Sequence, residues 1–238
     1  MNIVIPLAGK DPRFKELPKP LIEMRGKLLI ERILERHHIL QSDKLTFIVL
    51  QEHNQQFAIS EKLSAAFGKG IVVRTIPKLA QGSPCTILDG ARDLIDNDED
   101  ILIELGDVLR NIDNLYRDIR NNKKNVAGII PIDRRTMVGR LWGYVVLDEK
   151  GNAAALREKE EVPSSDLATM GLYYFSRGRD FVWAVEEMIR RRSYLYHDMF
   201  FVGPVYNELI RRGGAVAISE NKIEAVLGSQ EEIKEFKT

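Results

Sequence analysis

Short apolar runs alternate with segments of helical period through the first half of the chain. The runs are apolar at almost every position, which is typical of parallel strands that are covered on both faces. These predicted strands are residues 2–7, 45–50, 71–76 and 101–105. The segments between them carry apolar residues on one helical face, at 29–37, 57–67 and 87–94. This βαβαβαβ order predicts a doubly wound sheet, whose ligands bind beyond the carboxyl ends of the strands.

The second half has a different pattern, in which strands follow one another with few helices between them. The predicted strands are residues 126–132, 143–148, 153–157, 171–175 and 215–219. Helical period returns at 181–192 and 203–212, and a closing helix is predicted from Gln230. No linker rich in Pro, Gly or Ser separates the two halves. We therefore predict one α/β domain over residues 1–238, with a Rossmann-like doubly wound mixed sheet and a small antiparallel portion.

The composition excludes several classes of protein. The chain has 238 residues, with 35 Lys and Arg against 35 Asp and Glu, and a single cysteine, Cys85. A formal net charge of zero provides no overall attraction to nucleic acid or anionic lipid. One cysteine permits neither an internal disulfide nor a cysteine-rich zinc site, and no apolar run approaches the roughly 20 residues of a transmembrane helix. Because no signal peptide precedes the first strand, we expect a cytoplasmic protein with no nucleic-acid and no membrane partner.

The connection after the first predicted strand is unusually long for a strand-to-helix loop. The small residues Ala8 and Gly9 allow backbone N–H groups to approach a phosphate, and Arg13 and Lys19 add two cations. This combination favours polyphosphate binding, although an ordinary surface turn with solvated charges would have the same composition. The chain has neither a Walker A sequence nor G-x-G-x-x-G, so the loop is not that of a P-loop NTPase or a dinucleotide dehydrogenase.

Two more loops follow predicted parallel strands and are expected at the same edge of the sheet. The first contains Gln81, which can donate to and accept from a base edge, and Gly82, which leaves room for a ring beside the backbone. The second contains Asp107, whose carboxylate could hold a divalent cation. Taken alone, Asp107 is better explained as a turn former at a strand end. Three such loops at one edge favour a binding site.

A series of segments resembles one known family. MNIVIPLAG, LPKPLIE, QGSPCTIL, LGDVL, WGYVVLDEKG, SDLATMGLYYF, VGPVYNELI and LGSQEEI occur in the order found in the sugar-phosphate nucleotidylyltransferases, and the resemblance covers nearly the whole chain. The resemblance is strongest to the glucose 1-phosphate thymidylyltransferase type, which belongs to bacterial capsule and surface-polysaccharide synthesis. It implies the nucleotide-diphospho-sugar transferase fold, and transfer of a nucleoside monophosphate from a nucleoside triphosphate to a sugar 1-phosphate or related phosphate monoester. Pyrophosphate is the second product.

The resemblance also implies roles for individual residues. Residues 1–125 would bind mainly the nucleotide and 126–238 mainly the acceptor, and an oligomer is compatible with the family. The implied nucleotide-binding residues are Leu7, Ala8, Gly9, Gln81 and Gly82. The implied catalytic residues are Arg13, Lys19 and Asp107, with Asp107 also the ligand of Mg²⁺. The implied acceptor-binding residues are Trp142, Gly143, Glu158, Lys159 and Gly171. From the sequence alone, Glu158 and Lys159 could equally be a surface ion pair. A tryptophan such as Trp142 is more often a core or packing residue than a ligand contact.

The chain departs from the family pattern at three positions. Asp11 and Pro12 stand where the family commonly has Gly and then Ser or Thr, so the loop gains a negative charge and loses a backbone N–H. Val226 stands where thymidylyltransferases have a second metal-binding Asp. These departures keep open a second hypothesis, a catalytically impaired relative that acts as a nucleotide-binding or regulatory module. A third, a nucleotide-sugar glycosyltransferase, depends on Asp-x-Asp at residues 96–98, which precedes a strand instead of following one.

Overall fold

The computed structural model describes residues 1–10, 17–122, 124–134, 142–159 and 165–237. The strands are β1 (Asn2–Pro6), β2 (Glu23–Met24), β3 (Lys27–Leu28), β4 (Lys44–Leu50), β5 (Val72–Ile76), β6 (Ile101–Glu104), β7 (Val108–Asn111), β8 (Gly128–Arg134), β9 (Gly143–Leu147), β10 (Ala153–Glu158), β11 (Leu167–Thr169), β12 (Leu172–Phe175), β13 (Val216–Glu220) and β14 (Lys222–Val226). The helices are α1 (Leu29–Leu34), α2 (Gln51–Phe57), α3 (Ile59–Phe67), α4 (Ser83–Ile95), α5 (Asp113–Asn122), α6 (Gly178–Arg191), α7 (Val205–Arg211) and α8 (Gln230–Lys237), with a short 3₁₀ turn at Lys19–Leu21.

A large mixed sheet runs through both halves of the described chain. Strands β5, β4, β1 and β6 are parallel neighbours, and β12 pairs with β6 in the antiparallel direction. Strand β8 follows β12, pairs with β13, and also contacts β11, from which β9 and β10 continue as an antiparallel extension. This arrangement confirms the predicted α/β class with a doubly wound mixed sheet. The chain reverses its direction of progress across the sheet between β1 and β6, which is where ligands of such sheets bind.

Strand β1 shows why continuous apolar runs form the centre of this sheet. Ile3 and Ile5 point into one core cluster and Val4 into the other, and all three are fully buried. Helix α4 covers the Val4 face, and α3 covers the opposite face. Because both faces are covered by helices, alternation of polar and apolar residues would place polar groups in a core, and the sequence contains none at these positions.

The structure also contains elements that the apolar pattern did not predict. Helix α3 corresponds to most of the helix predicted at 57–67, and Ala58, with a φ of 51°, separates it from α2, which the pattern did not predict. Strands β7 and β14 form a separate two-stranded antiparallel ribbon, and α5 is largely polar. The helix predicted at 29–37 ends at Leu34, with His37 buried beyond it. Within the described residues, no helix has the length and apolar character needed to cross a membrane.

Candidate active site

The turn after β1 and the turn after β6 contact each other at the switch point of the sheet. Leu7 donates its backbone N–H to the carbonyl of Ile48 at 2.7 Å, which keeps the chain extended past β1. Leu7 and Ala8 are buried, while Gly9 is exposed. Gly106 has a φ of 75°, and a Cβ added to it would lie 3.7 Å from the Leu7 side chain. The predicted phosphate turn and the turn before Asp107 therefore lie side by side at the edge of the sheet. We call this part of the surface, between Leu7 and Asp107, the mouth.

The remainder of the predicted phosphate loop is described only in part. Arg13, Asp11 and Pro12 lie outside the described residues, so their predicted roles stay predictions. Lys19 is half-buried and begins a 3₁₀ turn, in which its carbonyl accepts the N–H of Ile22 at 3.1 Å. This turn fixes the backbone of Lys19 on the approach to α1.

Gln81 and Gly82 precede α4 and are held by a segment from the second half. The Gln81 carbonyl accepts the N–H of Phe200 at 3.0 Å. Gly82 has a φ of 105°, and a Cβ added to it would lie 2.1 Å from the Phe200 carbonyl oxygen. Phe200 therefore occupies the side of Gly82 on which a Cβ would lie, and this close backbone approach explains the glycine. Burial raises the pKa of the nearby Cys85 thiol to about 11, which agrees with a packing role and not with a nucleophile.

The turn that carries Asp107 is shaped by Glu104, a buried carboxylate at the end of β6. Its Oε1 accepts the Gly106 N–H at 2.7 Å, immediately before Asp107. The carbonyl of Asp107 accepts the N–H of Leu227 at 2.7 Å, which joins the turn to the end of the β7–β14 ribbon. Both sides of the Asp107 backbone are thereby fixed, while its side chain remains half-buried at the mouth.

Glu104 is itself the centre of a buried polar network. Arg110 donates to both of its oxygens, from Nη1 to Oε2 at 2.7 Å and from Nη2 to Oε1 at 3.1 Å. His37 Nε2 lies 2.9 Å from Oε2, and His37 Nδ1 lies 3.1 Å from the Tyr116 hydroxyl. Burial alone would raise the pKa of Glu104, but the charge of Arg110 and the contact with His37 outweigh it and hold that pKa below its usual range.

Sequence reasoning missed Glu104 and Arg110. Glu104 belonged to a run that was read as an apolar strand, and Arg110 lies in the unpredicted strand β7. The available signal was a carboxylate inside an otherwise apolar strand, because such a group requires a buried partner. His37 ends the apolar face predicted at 29–37, and it is buried as that pattern indicates.

Glu158 is buried between two glycines from different elements. Its side chain is 10% exposed, and its Oε2 has no hydrogen-bond partner in the part of the chain that the structure describes. A Cβ on Gly143 would lie 2.6 Å from this oxygen, and a Cβ on Gly203 would lie 3.1 Å from it. Lys159 Nζ lies 3.8 Å from the other oxygen. Glu158 and Lys159 thus form the ion pair that was one of the two interpretations left open by the sequence, with the carboxylate largely shielded from solvent.

The electrostatics of Glu158 connect it to the mouth at Asp107. Burial raises the pKa of Glu158 to about 7, against the opposing charge and hydrogen bond of Lys159, and the negative charge of Asp107 adds to the rise. Such a carboxyl group changes its charge near neutral pH. Two carboxylates from opposite halves of the sheet therefore influence each other.

Gly171 and Trp142 are the remaining predicted acceptor-site residues. Gly171, between β11 and β12, has a φ of 69°, and a Cβ on it would lie 3.1 Å from Asp107 Oδ1. Trp142 is half-buried and packs against the apolar core, and its carbonyl accepts the Lys159 N–H at 3.3 Å. Gly171 therefore lies beside the candidate metal ligand, whereas Trp142 contributes its backbone to the Lys159 turn and its ring to the core.

The ribbon beside Asp107 bears on metal binding. Val226 pairs with Val108, next to Asp107, so the position aligned with a second carboxylate does lie at this site but offers no ligand. Among the described residues, no group of three or more His, Cys, Asp or Glu side chains could hold a metal ion. The donor available in this part of the chain is the Asp107 carboxylate. One carboxylate fits magnesium, which commonly takes its other ligands from water and substrate phosphates.

Comparison with known proteins adds sequence and fold relatives. Residues 12–193 match the family model for nucleotidyl transferase. A glucose-1-phosphate thymidylyltransferase of Streptomyces antibioticus is 35% identical over 81 residues, which make up 33% of this chain and 22% of that protein. The bifunctional protein GlmU of Methanocaldococcus jannaschii is 28% identical over 182 residues, or 74% of this chain and 40% of that protein. The chain thus spans less than half the length of these curated relatives.

Two solved structures have the same fold. A nucleoside-diphosphate-sugar pyrophosphorylase from Vibrio cholerae RC9 superposes with a TM-score of 0.83 at 24% identity, covering 99% of both chains. A UDP-glucose pyrophosphorylase from Acinetobacter baumanii has a TM-score of 0.73 at 14% identity, covering 99% of this chain and 91% of its own. At these identities the likeness concerns the fold, and it extends over the whole sheet.

Proposed function

Because the chain belongs to the nucleotidyl transferase family, we propose that it transfers a nucleoside monophosphate from a nucleoside triphosphate to a sugar 1-phosphate or related phosphate monoester, releasing pyrophosphate. The observation that carries this proposal is the meeting of the two halves at Asp107. Leu7 reaches the turn before Asp107 from the predicted nucleotide side, and Gly171 reaches Asp107 Oδ1 from the predicted acceptor side. A phosphate chain and an acceptor held by these turns would be neighbours.

The chemistry of this transfer demands alignment more than proton transfer. The acceptor phosphate has a second pKa near 6 and is already an anion at neutral pH. The protein must therefore bring two anions together and neutralise the charge on the departing pyrophosphate. We assign this neutralisation to Lys19 and, by resemblance, to Arg13. A magnesium ion at Asp107 would supply further positive charge to the phosphates.

Glu158 and Lys159 support acceptor binding in this proposal. The buried Glu158 Oε2 has no hydrogen-bond partner among the described residues, and a hydroxyl group of a bound acceptor would satisfy it. Lys159, beside it, would pair with the acceptor phosphate. The names of the curated relatives support a sugar 1-phosphate as this acceptor. Magnesium as the metal, cytoplasmic location and a role in surface-polysaccharide synthesis remain predictions of the same proposal.

A pyrophosphate-release assay tests the proposal directly. Each nucleoside triphosphate is paired with a panel of sugar 1-phosphates in the presence of magnesium. Lys19→Ala should lower kcat more than it weakens nucleotide binding, because its charge acts on the reacting phosphates. Lys150→Ala, an exposed lysine on the turn between β9 and β10, is the matched control. Equal losses of kcat and nucleotide affinity in Lys19→Ala would contradict the role of Lys19.

A second candidate function rests on Val226. With a valine paired beside Asp107, the protein would keep a nucleotide site but bind the metal too weakly for turnover. Thermal shift by a nucleoside triphosphate without pyrophosphate release for any acceptor would favour this nucleotide-binding module. Val226→Asp should then restore metal-dependent release. Release by the unchanged protein would reject the module hypothesis.

A further inference from the structure

A short segment of the second half, residues 199–203, contacts both sides of the candidate active site, and we name it the strap. At one end, Phe200 donates its N–H to the Gln81 carbonyl at 3.0 Å, and its own carbonyl lies against Gly82. The two segments of the chain run parallel there and form an isolated β-bridge between Gly82 and Phe200. The strap is thereby attached to the loop that was assigned to the nucleotide base.

The next residue of the strap faces the acceptor side. The Phe201 ring is half-buried, and Lys159 Nζ lies 5.3 Å from its centroid. This is within the range in which a lysine ammonium is attracted to the face of an aromatic ring. The Lys159 backbone is also fixed, with a φ of 59° and its N–H donated to the Trp142 carbonyl at 3.3 Å. The Trp142 carbonyl thus fixes the Lys159 backbone, and the Phe201 ring attracts the Lys159 ammonium.

The end of the strap packs directly against Glu158. A Cβ on Gly203 would lie 3.1 Å from Glu158 Oε2 and 2.5 Å from the Leu156 side chain. Helix α7 follows at once, and its Asn207 side chain bonds to both backbone groups of Leu156, at 2.7 Å to the N–H and 2.8 Å to the carbonyl. The position of β10, which carries Glu158, is therefore set by Gly203 of the strap together with helix α7 that follows it.

We infer that Phe201 is a positioning residue, whose ring holds the Lys159 ammonium where it meets the acceptor phosphate. The inference rests on the proposed function, because it assumes that Lys159 binds that phosphate. The strap attaches this ring to Gln81 through the neighbouring Phe200. Phe201 itself needs no contact with the substrate. Its effect should appear in acceptor binding and leave nucleotide binding unchanged.

The kinetic test compares Phe201→Leu with Phe201→Tyr and a control. Phe201→Leu should raise the KM for the acceptor about fivefold, equivalent to about 1 kcal/mol, with the KM for the nucleoside triphosphate unchanged. Phe201→Tyr, which keeps an aromatic face, should behave as the wild type. Phe236→Leu is the control, since Phe236 faces Arg25 at 5.9 Å in a similar contact on the C-terminal helix. It should leave both KM values unchanged.

A second measurement reports the contact without turnover. Lysines are dimethylated with ¹³C, which keeps their charge, and the Lys159 signal is assigned from Lys159→Arg. A ring above the ammonium shifts that signal upfield, so Phe201→Leu should abolish the shift and Phe236→Leu should not. Titration with a sugar 1-phosphate should perturb the same signal at lower concentration in wild type than in Phe201→Leu.

The outcomes separate the two proposals. Turnover by the wild type together with an unchanged acceptor KM in Phe201→Leu would overturn the inference and leave the proposed function standing. An equal rise in both KM values would also overturn it, because that result indicates general damage to the site. If the wild type neither turns over nor binds a sugar 1-phosphate, the proposed function fails and the inference fails with it.

Discussion

Glu158→Gln should stabilise the protein at alkaline pH, although it alters a residue of the candidate active site. The Glu158 side chain is 10% exposed, and its Oε2 accepts no hydrogen bond from any of the residues described in the structure. Burial raises its pKa from the ordinary 4.5 to about 7. A charged carboxylate in this position therefore costs folding free energy, and a neutral amide of nearly the same shape does not.

The pH dependence has a definite sign. Between pH 4.5 and about 7 the folded state keeps a proton on Glu158 that the unfolded state has lost, so wild-type stability falls as pH rises through this range. The difference between the two pKa values corresponds to about 3 kcal/mol above pH 7. Glu158→Gln should match the wild type near pH 4.5 and exceed it by about 2–3 kcal/mol at pH 8.

Urea unfolding measured at several pH values tests this expectation. The free energy of unfolding is compared for wild type, Glu158→Gln and Glu149→Gln, which changes an exposed glutamate on the turn between β9 and β10. Glu149→Gln should show no gain that grows with pH. If Glu158→Gln is no more stable than wild type at pH 8, or gains equally at pH 5 and pH 8, the reasoning about burial is refuted. The same variant should bind the acceptor less well, as expected where function costs stability.

Three further predictions concern the groups that position the site. Arg110→Met should destabilise the protein by about 3–5 kcal/mol in urea unfolding, because it leaves Glu104 buried and charged, and adding Glu104→Gln should recover a large part of the loss. A single-variant loss below 1 kcal/mol would contradict the network. Asn207→Ala should lower the free energy of unfolding by about 2–4 kcal/mol, since two backbone groups of the β10 edge lose their partners. A melting temperature within a degree of the wild type would disprove this expectation. Gly82→Ala should weaken nucleoside triphosphate binding at least tenfold in calorimetry, because its Cβ would overlap the Phe200 carbonyl and displace the loop, and unchanged affinity would show that the loop does not bind the nucleotide.

The apolar pattern was sufficient to predict the sheet and the approximate limits of most strands. The prediction succeeded because residues such as Val4 lie on a parallel strand that is covered on both faces, where every buried position requires an apolar residue. It failed for β7 and β14, whose pairing depends on contacts between distant parts of the chain, and for α5, whose surface is mostly polar. Local pattern carries no information on such long-range pairing.

The candidate site likewise combines features that the sequence could predict with features that depend on contacts between distant residues. The turns at Leu7 and Asp107 could be placed at one edge from topology alone, because parallel strands end together. The roles of Glu104 and Phe201 could not, since each depends on a partner that only the folded chain brings near. The approach of Phe200 to Gly82 could not be predicted either, because sequence shows that a glycine is present but not what approaches it.

The bond from the Leu227 N–H to the Asp107 carbonyl has a consequence for biosynthesis. On the ribosome, the strand that carries Glu104 emerges long before β14 and Leu227, so the turn at Asp107 lacks its final support while the rest of the sheet is being made. A nascent or truncated chain that ends before residue 227 would therefore hold an unsupported turn at Asp107. Ligand binding at this mouth would then distinguish finished chains from incomplete ones, and substrate would stabilise only the former.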